Sequence, residues 1–141
     1  MIRHWANFAA KEAKALIASD EDPTRLFAGK STQYHKSKSL PKFTGEAMRT
    51  CATINRIFFD DPYEAYRLFH ELVPDAGEGV QFTPPFSVDY GIGLTIGRGT
   101  FLNKDFMVCG GGYVTLGAVA SVPSLRLDET DCASHAMQVS A

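Results

Sequence analysis

A short phrase that this chain nearly repeats constrains its fold more than any other feature. Residues 94–97 read Leu-Thr-Ile-Gly, and residues 114–117 read Val-Thr-Leu-Gly. Apolar residues recur between them at steps of six, at Ile96, Leu102, Val108 and Val114. This spacing fits neither the 3.6-residue period of a helix nor the two-residue alternation of a strand. It is typical of a parallel β-helix, in which short strands cover the flat faces of stacked coils.

Charge and cysteine content argue against several functional classes. The formal net charge of the 141 residues is -2, from 14 basic and 16 acidic side chains. Such a balance gives no strong field to attract a nucleic acid or an anionic membrane. The three cysteines, Cys51, Cys109 and Cys132, show no Cys-x-x-Cys spacing, so neither a disulfide framework nor a zinc knuckle is supported. We therefore expect a reducing compartment and no metal.

The chain begins without a recognisable targeting segment. Its first residues mix apolar with charged side chains and contain neither the apolar run of a signal peptide nor a transmembrane span of ~20 residues. This composition predicts a soluble, cytoplasmic protein.

Helical patterns occupy the first half of the sequence. Apolar residues from Trp5 to Ile17 lie at helical spacings, which predicts an amphipathic helix. A second helix is predicted from about Thr44, as its cap, to Phe58. A third is predicted to begin at Asp61 as N-cap, with an Asp-x-x-Glu capping box, and to form an antiparallel pair with the second.

A polar, basic stretch separates the first two helices. Residues 31–42, together with Lys30, contribute the lysines Lys30, Lys36, Lys38 and Lys42. Such a stretch is typical of a solvated linker, and a phosphate-contacting patch is the alternative.

The composition changes at about residue 79, where glycines, prolines and short β-prone runs take over. We therefore predict an α+β protein with three parts. Residues 1–39 form an amphipathic helix and polar linker, residues 40–79 a helical segment, and residues 80–141 an incomplete β-helix with an irregular tail.

An ordered set of motifs resembles a known family. Residues 85–91 read Pro-Phe-Ser-Val-Asp-Tyr-Gly, and they precede the 94–97 phrase and then Phe-Leu-Asn at 101–103. Over residues 40 to 125 the chain resembles the maltose/galactoside O-acetyltransferase family of hexapeptide-repeat acyltransferases. The resemblance implies a left-handed parallel β-helix preceded by an acceptor-side helical segment. It also implies a homotrimer that transfers an acetyl group from acetyl-CoA to a sugar hydroxyl.

The resemblance assigns roles to three residues. Asp89 and Asn103 match positions that contact the acceptor sugar, and His135 is the candidate general base that takes the hydroxyl proton. Each has an alternative interpretation. Asp89 is also explained as a turn carboxylate that caps local amides, Asn103 as a corner residue bonded to the next coil, and His135 as a histidine of the tail. The resemblance assigns no acetyl-CoA-binding residue.

One position departs from the family pattern. Where the family often has an aspartate after the asparagine, residues 109–112 read Cys-Gly-Gly-Gly. The three glycines predict a flexible bulge.

The family continues for several further coils, which form the acetyl-CoA groove between subunits of the trimer. Because this chain stops at Ala141, the resemblance predicts a C-terminally shortened member with impaired activity. A non-catalytic remnant that still binds a saccharide is the main alternative. A metalloenzyme similar to the γ-class carbonic anhydrases is a third, although it needs three converging histidines and the β region offers only His135.

Overall fold

A computed structural model of the chain describes residues 21–30, 32–122, 126–127 and 137–139. The helix predicted between Trp5 and Ile17 lies outside these residues. The described part consists of helices followed by short parallel strands, so the α+β class is confirmed.

Three α-helices and two short 3-10 helices are present in the described residues. The α-helices are α1, Glu21–Phe27, α2, Leu40–Ile57, and α3, Pro62–Leu72. The 3-10 helices cover Tyr34–Lys36 and Gly91–Gly93. None of the described helices is both long and apolar enough to cross a membrane.

Helix α2 begins four residues before the predicted start at Thr44. Ser39 is its N-cap, and a proline, Pro41, lies in its first turn, where a missing N–H leaves no hydrogen bond unmade. The prediction that Thr44 caps the helix was therefore wrong. Its side chain is buried within the second turn, where its hydroxyl donates to the carbonyl oxygens of Leu40 and Pro41.

Helix α3 begins as predicted, although its capping box is only half formed. The Asp61 side chain accepts a hydrogen bond from the Glu64 backbone N–H. The Asp61 N–H donates to the carbonyl of Ile57 rather than to the Glu64 carboxylate. Glu64 instead pairs with Arg67, which also binds Glu71.

In the part of the chain that the structure describes, ten short strands follow, and they form three parallel sheets. The strands are β1 Asp75–Ala76, β2 Gln81–Phe82, β3 Phe86–Val88, β4 Leu94–Ile96, β5 Phe101–Leu102, β6 Phe106–Val108, β7 Val114–Leu116, β8 Ser121–Val122, β9 Arg126–Leu127 and β10 Met137–Val139. The sheet orders are β1-β4-β7-β10, β2-β5-β8 and β3-β6-β9. Every third strand therefore returns to the same face, which gives a three-sided coil. The first strand starts at Asp75, a few residues before the composition changes.

The repeated phrase identified in the sequence forms one rung of this coil. Leu94 pairs with Val114, Thr95 with Thr115 and Ile96 with Leu116. Six positions lead from Ile96 to Leu102 and from Leu102 to Val108 on successive faces, and eight more lead to Leu116, the partner of Ile96, so this coil takes 20 positions. The predicted step of six does not extend to Val114, which pairs with Leu94. The four aliphatic residues that defined the step, Ile96, Leu102, Val108 and Val114, are all buried.

Sterics explain why the repeated phrase ends in glycine. A Cβ on Gly97 would lie 2.4 Å from the backbone nitrogen of Ala118 in the next coil. The corner is tied further by the buried Thr100, whose hydroxyl donates to the Gly117 carbonyl at 2.6 Å. Small residues thus follow the inward aliphatic because successive corners stack in contact.

Helices α2 and α3 cover the first coil. The Asn55 side chain makes two hydrogen bonds to the backbone of Phe86 in β3, and the Tyr66 hydroxyl accepts from the N–H of Phe82 in β2. Phe69 packs between these strands against both Phe82 and Phe86. One continuous core therefore joins the helices to the coil interior.

Candidate functional site

A cavity of about 350 Å³ lies where the helical part meets two stacked corners of the coil. Its walls come from α1, the Tyr34–Lys36 helix, the first turns of α2, and the corners that follow β3 and β6. The lining is apolar on one side, with Leu26, Leu40, Met48 and Tyr90. Polar groups line the rest, from Thr32, Tyr34, His35, Thr44, Asp89 and Cys109, together with the backbone of Gly110 and Gly111.

Asp89 is the one sequence-predicted site residue that the described structure places in this cavity. It follows β3 directly, and Cys109 follows β6 directly above it because Val88 pairs with Val108. Asp89 Oδ2 accepts a hydrogen bond from the Gly110 N–H at 2.8 Å. The carboxylate therefore bonds to an amide of the next coil rather than to local amides of its own turn, and the same side chain lines the cavity.

The glycine run at 110–112 makes a close contact with α1 rather than a simple bulge. A Cβ on Gly111 would lie 2.3 Å from Cγ of Leu26. In the corner below, a Cβ on Gly93 would lie 2.7 Å from the ring of Phe27. Two glycines thus form notches in which Leu26 and Phe27 pack, and α1 closes one wall of the cavity.

A pair of hydroxyl groups forms the opposite wall. The Tyr34 hydroxyl is hydrogen-bonded to Oγ1 of Thr44, and the Tyr34 ring meets the neighbouring imidazole of His35 edge to face. His35 lines the cavity, although the sequence offered no signal for it. The residues around it come from distant parts of the chain, so no local spacing marks the site.

Asn103 lies at another corner of the coil, after β5. Its Nδ2 donates to the carbonyl oxygen of Val122 at 3.0 Å, and its backbone N–H donates to the same oxygen at 2.9 Å. The corner-residue interpretation is therefore observed. Asn103 is not among the described residues that line the cavity, so the structure does not bring it together with Asp89 there.

The candidate base His135 lies outside the described residues. Its position relative to Asp89 and Asn103 thus stays a prediction. Cys132 also lies outside the described residues.

Cys51, on α2, lies beneath the Asp89 corner. Its thiol is buried and lies 3.9 Å from the Val88 carbonyl oxygen. Burial raises the pKa of this thiol to about 11, with a smaller contribution in the same direction from the nearby Asp89 carboxylate. Cys51 is therefore a protonated core residue at neutral pH.

The described residues contain no group of three or more His, Cys, Asp or Glu side chains arranged to hold a metal ion. The chemistry that the cavity offers comes instead from a carboxylate, hydroxyl groups, an imidazole and backbone amides. Such groups can position a polyhydroxylated ligand by hydrogen bonds.

Comparison with known proteins relates this fold to acetyltransferases. No protein-family profile and no curated protein sequence matches the chain. Two crystal structures of a hexapeptide-repeat-containing acetyltransferase from Vibrio cholerae are similar to it. One matches with a TM-score of 0.58 and 28% identity, covering 64% of this chain and 51% of that one.

The second structure holds the same Vibrio cholerae protein in complex with acetyl coenzyme A. It matches with a TM-score of 0.64 and 25% identity over 76% of this chain and 57% of that one. The chain thus spans about half the length of the structures it matches. The helices and stacked parallel strands described above are consistent with the fold of this hexapeptide-repeat-containing acetyltransferase.

Proposed function

We propose that this chain transfers an acetyl group from acetyl-CoA to a sugar hydroxyl, as a left-handed β-helical enzyme of the maltose/galactoside O-acetyltransferase type. Two observations together support the proposal. The fold is similar to that of an acetyltransferase with bound acetyl-CoA, and a cavity suited to a polyol opens at Asp89, the residue that the sequence resemblance assigns to the acceptor.

The reaction requires little from the protein. The sugar oxygen attacks the thioester carbon, the C–S bond breaks, and the hydroxyl proton ends on the released thiol. A histidine that takes the proton from the hydroxyl and returns it to the leaving sulfur contributes typically ~10²–10⁴-fold. We assign this role to His135.

Asp89 and Asn103 are proposed to hold the acceptor. Each side chain uses one atom for a bond within the coil, Asp89 Oδ2 and Asn103 Nδ2. The Oδ1 atoms of Asp89 and Asn103 receive no hydrogen bond from the described residues. Each is proposed to accept a hydrogen bond from a sugar hydroxyl. Because the two lie at different corners, a homotrimer that joins corners of neighbouring copies would let both contribute to one site.

The test is an acetyl-transfer assay with the purified chain, acetyl-CoA and a panel of neutral and amino sugars. Released thiol is measured with a chromogenic reagent, and the acetylated sugar is identified by mass spectrometry. We expect thiol release that depends on the sugar. The absence of any acetylated product at high protein concentration would contradict the proposal.

Two histidine variants test the assignment of the base. His135→Ala should lower kcat by ~10² or more, whereas His70→Ala, an exposed position on α3, should leave it unchanged. A saccharide that binds in calorimetry without turnover, with affinity unchanged in His135→Ala, would favour a non-catalytic saccharide-binding protein instead.

A further inference from the structure

The cavity holds a carboxylate oxygen without a described partner. Asp89 is half-buried, and its Oδ2 is bonded to the Gly110 N–H. Its Oδ1 receives no hydrogen bond from any residue that the structure describes. A carboxylate can accept at both oxygens, so a ligand donor can bind this atom without displacing a hydrogen bond from the described residues.

No lysine or arginine side chain is among the described residues that line the cavity with Asp89, and the imidazole of His35 is the one basic group there. Among the described lining residues, Asp89 is the only carboxylate. The Asp89 carboxylate also lies close enough to Cys51 to add to the pKa rise that burial causes in that thiol. An anionic ligand would be repelled here, and a cationic one would be attracted.

The remaining walls suit a cation with an organic body. Tyr34 and Tyr90 line the cavity, and aromatic faces attract ammonium groups. Leu26, Leu40 and Met48 provide apolar surface for the carbon atoms of the ligand. A ligand that places its ammonium group beside Asp89 and its ring against these apolar and aromatic side chains would match both the charged and the apolar parts of the lining.

Lysines occur on the neighbouring loop, but they are outside the cavity. Lys36 and Lys38 are exposed and are not among the described residues that line it. Exposed charges are screened by salt over about 10 Å. Their influence on a ligand beside Asp89 is therefore weaker than that of the carboxylate itself.

We propose that the acceptor for this cavity is an amine-bearing sugar, whose protonated amine binds Asp89 Oδ1, and that phosphorylated sugars are rejected. The inference rests on the proposed function only in taking this cavity as the acceptor site. It adds the chemical class of the acceptor, which a resemblance to sugar acetyltransferases leaves open.

Three ligands that share one ring test the proposal by calorimetry without acetyl-CoA: glucosamine, glucose and glucose 6-phosphate. The measurement is made at about pH 7, where an amine is mostly protonated, an ordinary carboxyl is ionised and an ordinary imidazole is mostly neutral. We expect glucosamine to bind about tenfold tighter than glucose, and glucose 6-phosphate to bind more weakly than glucose. Equal affinities, or tighter binding of the phosphate through the loop lysines, would overturn the proposal.

Variants assign the preference to one residue. Asp89→Asn keeps an oxygen for the Gly110 N–H and removes the charge, so glucosamine and glucose should then bind equally. Asp60→Asn, an exposed position between α2 and α3, should keep the wild-type order. A preference for glucosamine that survives in Asp89→Asn would also overturn the proposal.

The ligand order in the wild-type chain remains decisive even if Asp89→Asn fails to fold. The test is also independent of turnover. A glucosamine preference without acetyl transfer would support the ligand class inferred for this cavity and contradict the proposed function. Turnover with no preference for an amine would support the proposed function and contradict the inferred ligand class.

Discussion

The side-chain amide of Asn55 on α2 bonds to the backbone of Phe86 at both of its ends. Nδ2 donates to the Phe86 carbonyl and Oδ1 accepts from the Phe86 N–H, each at 2.9 Å. Among the described residues β3 is the first strand of its sheet and pairs only with β6, and Asn55 supplies the two bonds that a strand on its other side would make. The edge of the first coil is therefore closed by a helix.

Replacement of Asn55 by alanine should destabilise the protein. It would leave a donor and an acceptor on the backbone of the buried Phe86 without partners, which costs roughly 1–3 kcal/mol for each group shielded from water. Thr53→Ala, whose hydroxyl bonds only within its own helix, is the control and should change the free energy of unfolding by less than about 0.5 kcal/mol. Urea denaturation measures both. Equal effects in the two variants would show that Asn55 does not close the edge.

The interior column of the coil should be sensitive to truncation. Leu102 is 0% exposed and packs in the core, so Leu102→Ala should cost about 2–5 kcal/mol. Thr95→Ala, on an exposed position of β4, should be nearly neutral. Thermal unfolding followed by circular dichroism compares them. A mild effect at Leu102 would argue against its place in a packed interior.

Glycine-to-alanine changes at two positions should have opposite effects on stability, because one glycine contacts α1 closely and the other has room for a Cβ. Gly111→Ala would force Leu26 away from its notch and should destabilise the protein by roughly 1–3 kcal/mol. Gly45→Ala, inside α2 with only the tip of Arg49 nearby at 3.9 Å, should stabilise it by about 1 kcal/mol. Chemical denaturation measures the change in the free energy of unfolding for both variants. Stabilisation by Gly111→Ala would contradict the packing of α1 on this corner.

The buried thiol of Cys51 predicts a loss of stability in alkaline solution. Its pKa is raised from 9.0 to about 11 in the folded chain, chiefly by burial. The folded state therefore holds this proton more tightly than the unfolded state. The stabilisation is complete below about pH 9 and is lost as the pH rises through about 11.

Denaturation at several alkaline pH values, compared between the wild type and Cys51→Ala, isolates this effect. The slope of the free energy of unfolding against pH should be shallower in the variant over this window, by about 1 kcal/mol per pH unit. Parallel slopes would show that Cys51 is not protected in the folded chain.

The stacked coil was predictable because its cause is local and repeated. The residues of the 94–97 phrase and its near copy at 114–117 were expected to occupy equivalent places, and they pair in register. The α+β class follows from the same pattern. The start of α2 was missed because the basic residues before Thr44 and the proline at 41 suggest a linker, although a proline in the first turn is compatible with a helix.

The cavity was not predictable in the same way. It brings together Leu26, His35, Thr44, Asp89 and Cys109, which are far apart in sequence and share no spacing. Asp89 was singled out only through the family resemblance, and its bond to Gly110 depends on how successive coils stack. His35 had no signal, because its place depends on how the loop between α1 and α2 lies over the coil.

A crystal structure of the chain soaked with glucosamine tests the central claim most directly, namely that the Asp89 cavity receives the sugar. The account predicts a sugar ring in the cavity, with its nitrogen within about 3.2 Å of Asp89 Oδ1. A sugar bound elsewhere, for example only at the Asn103 corner, or an empty cavity at saturating sugar concentration would contradict it.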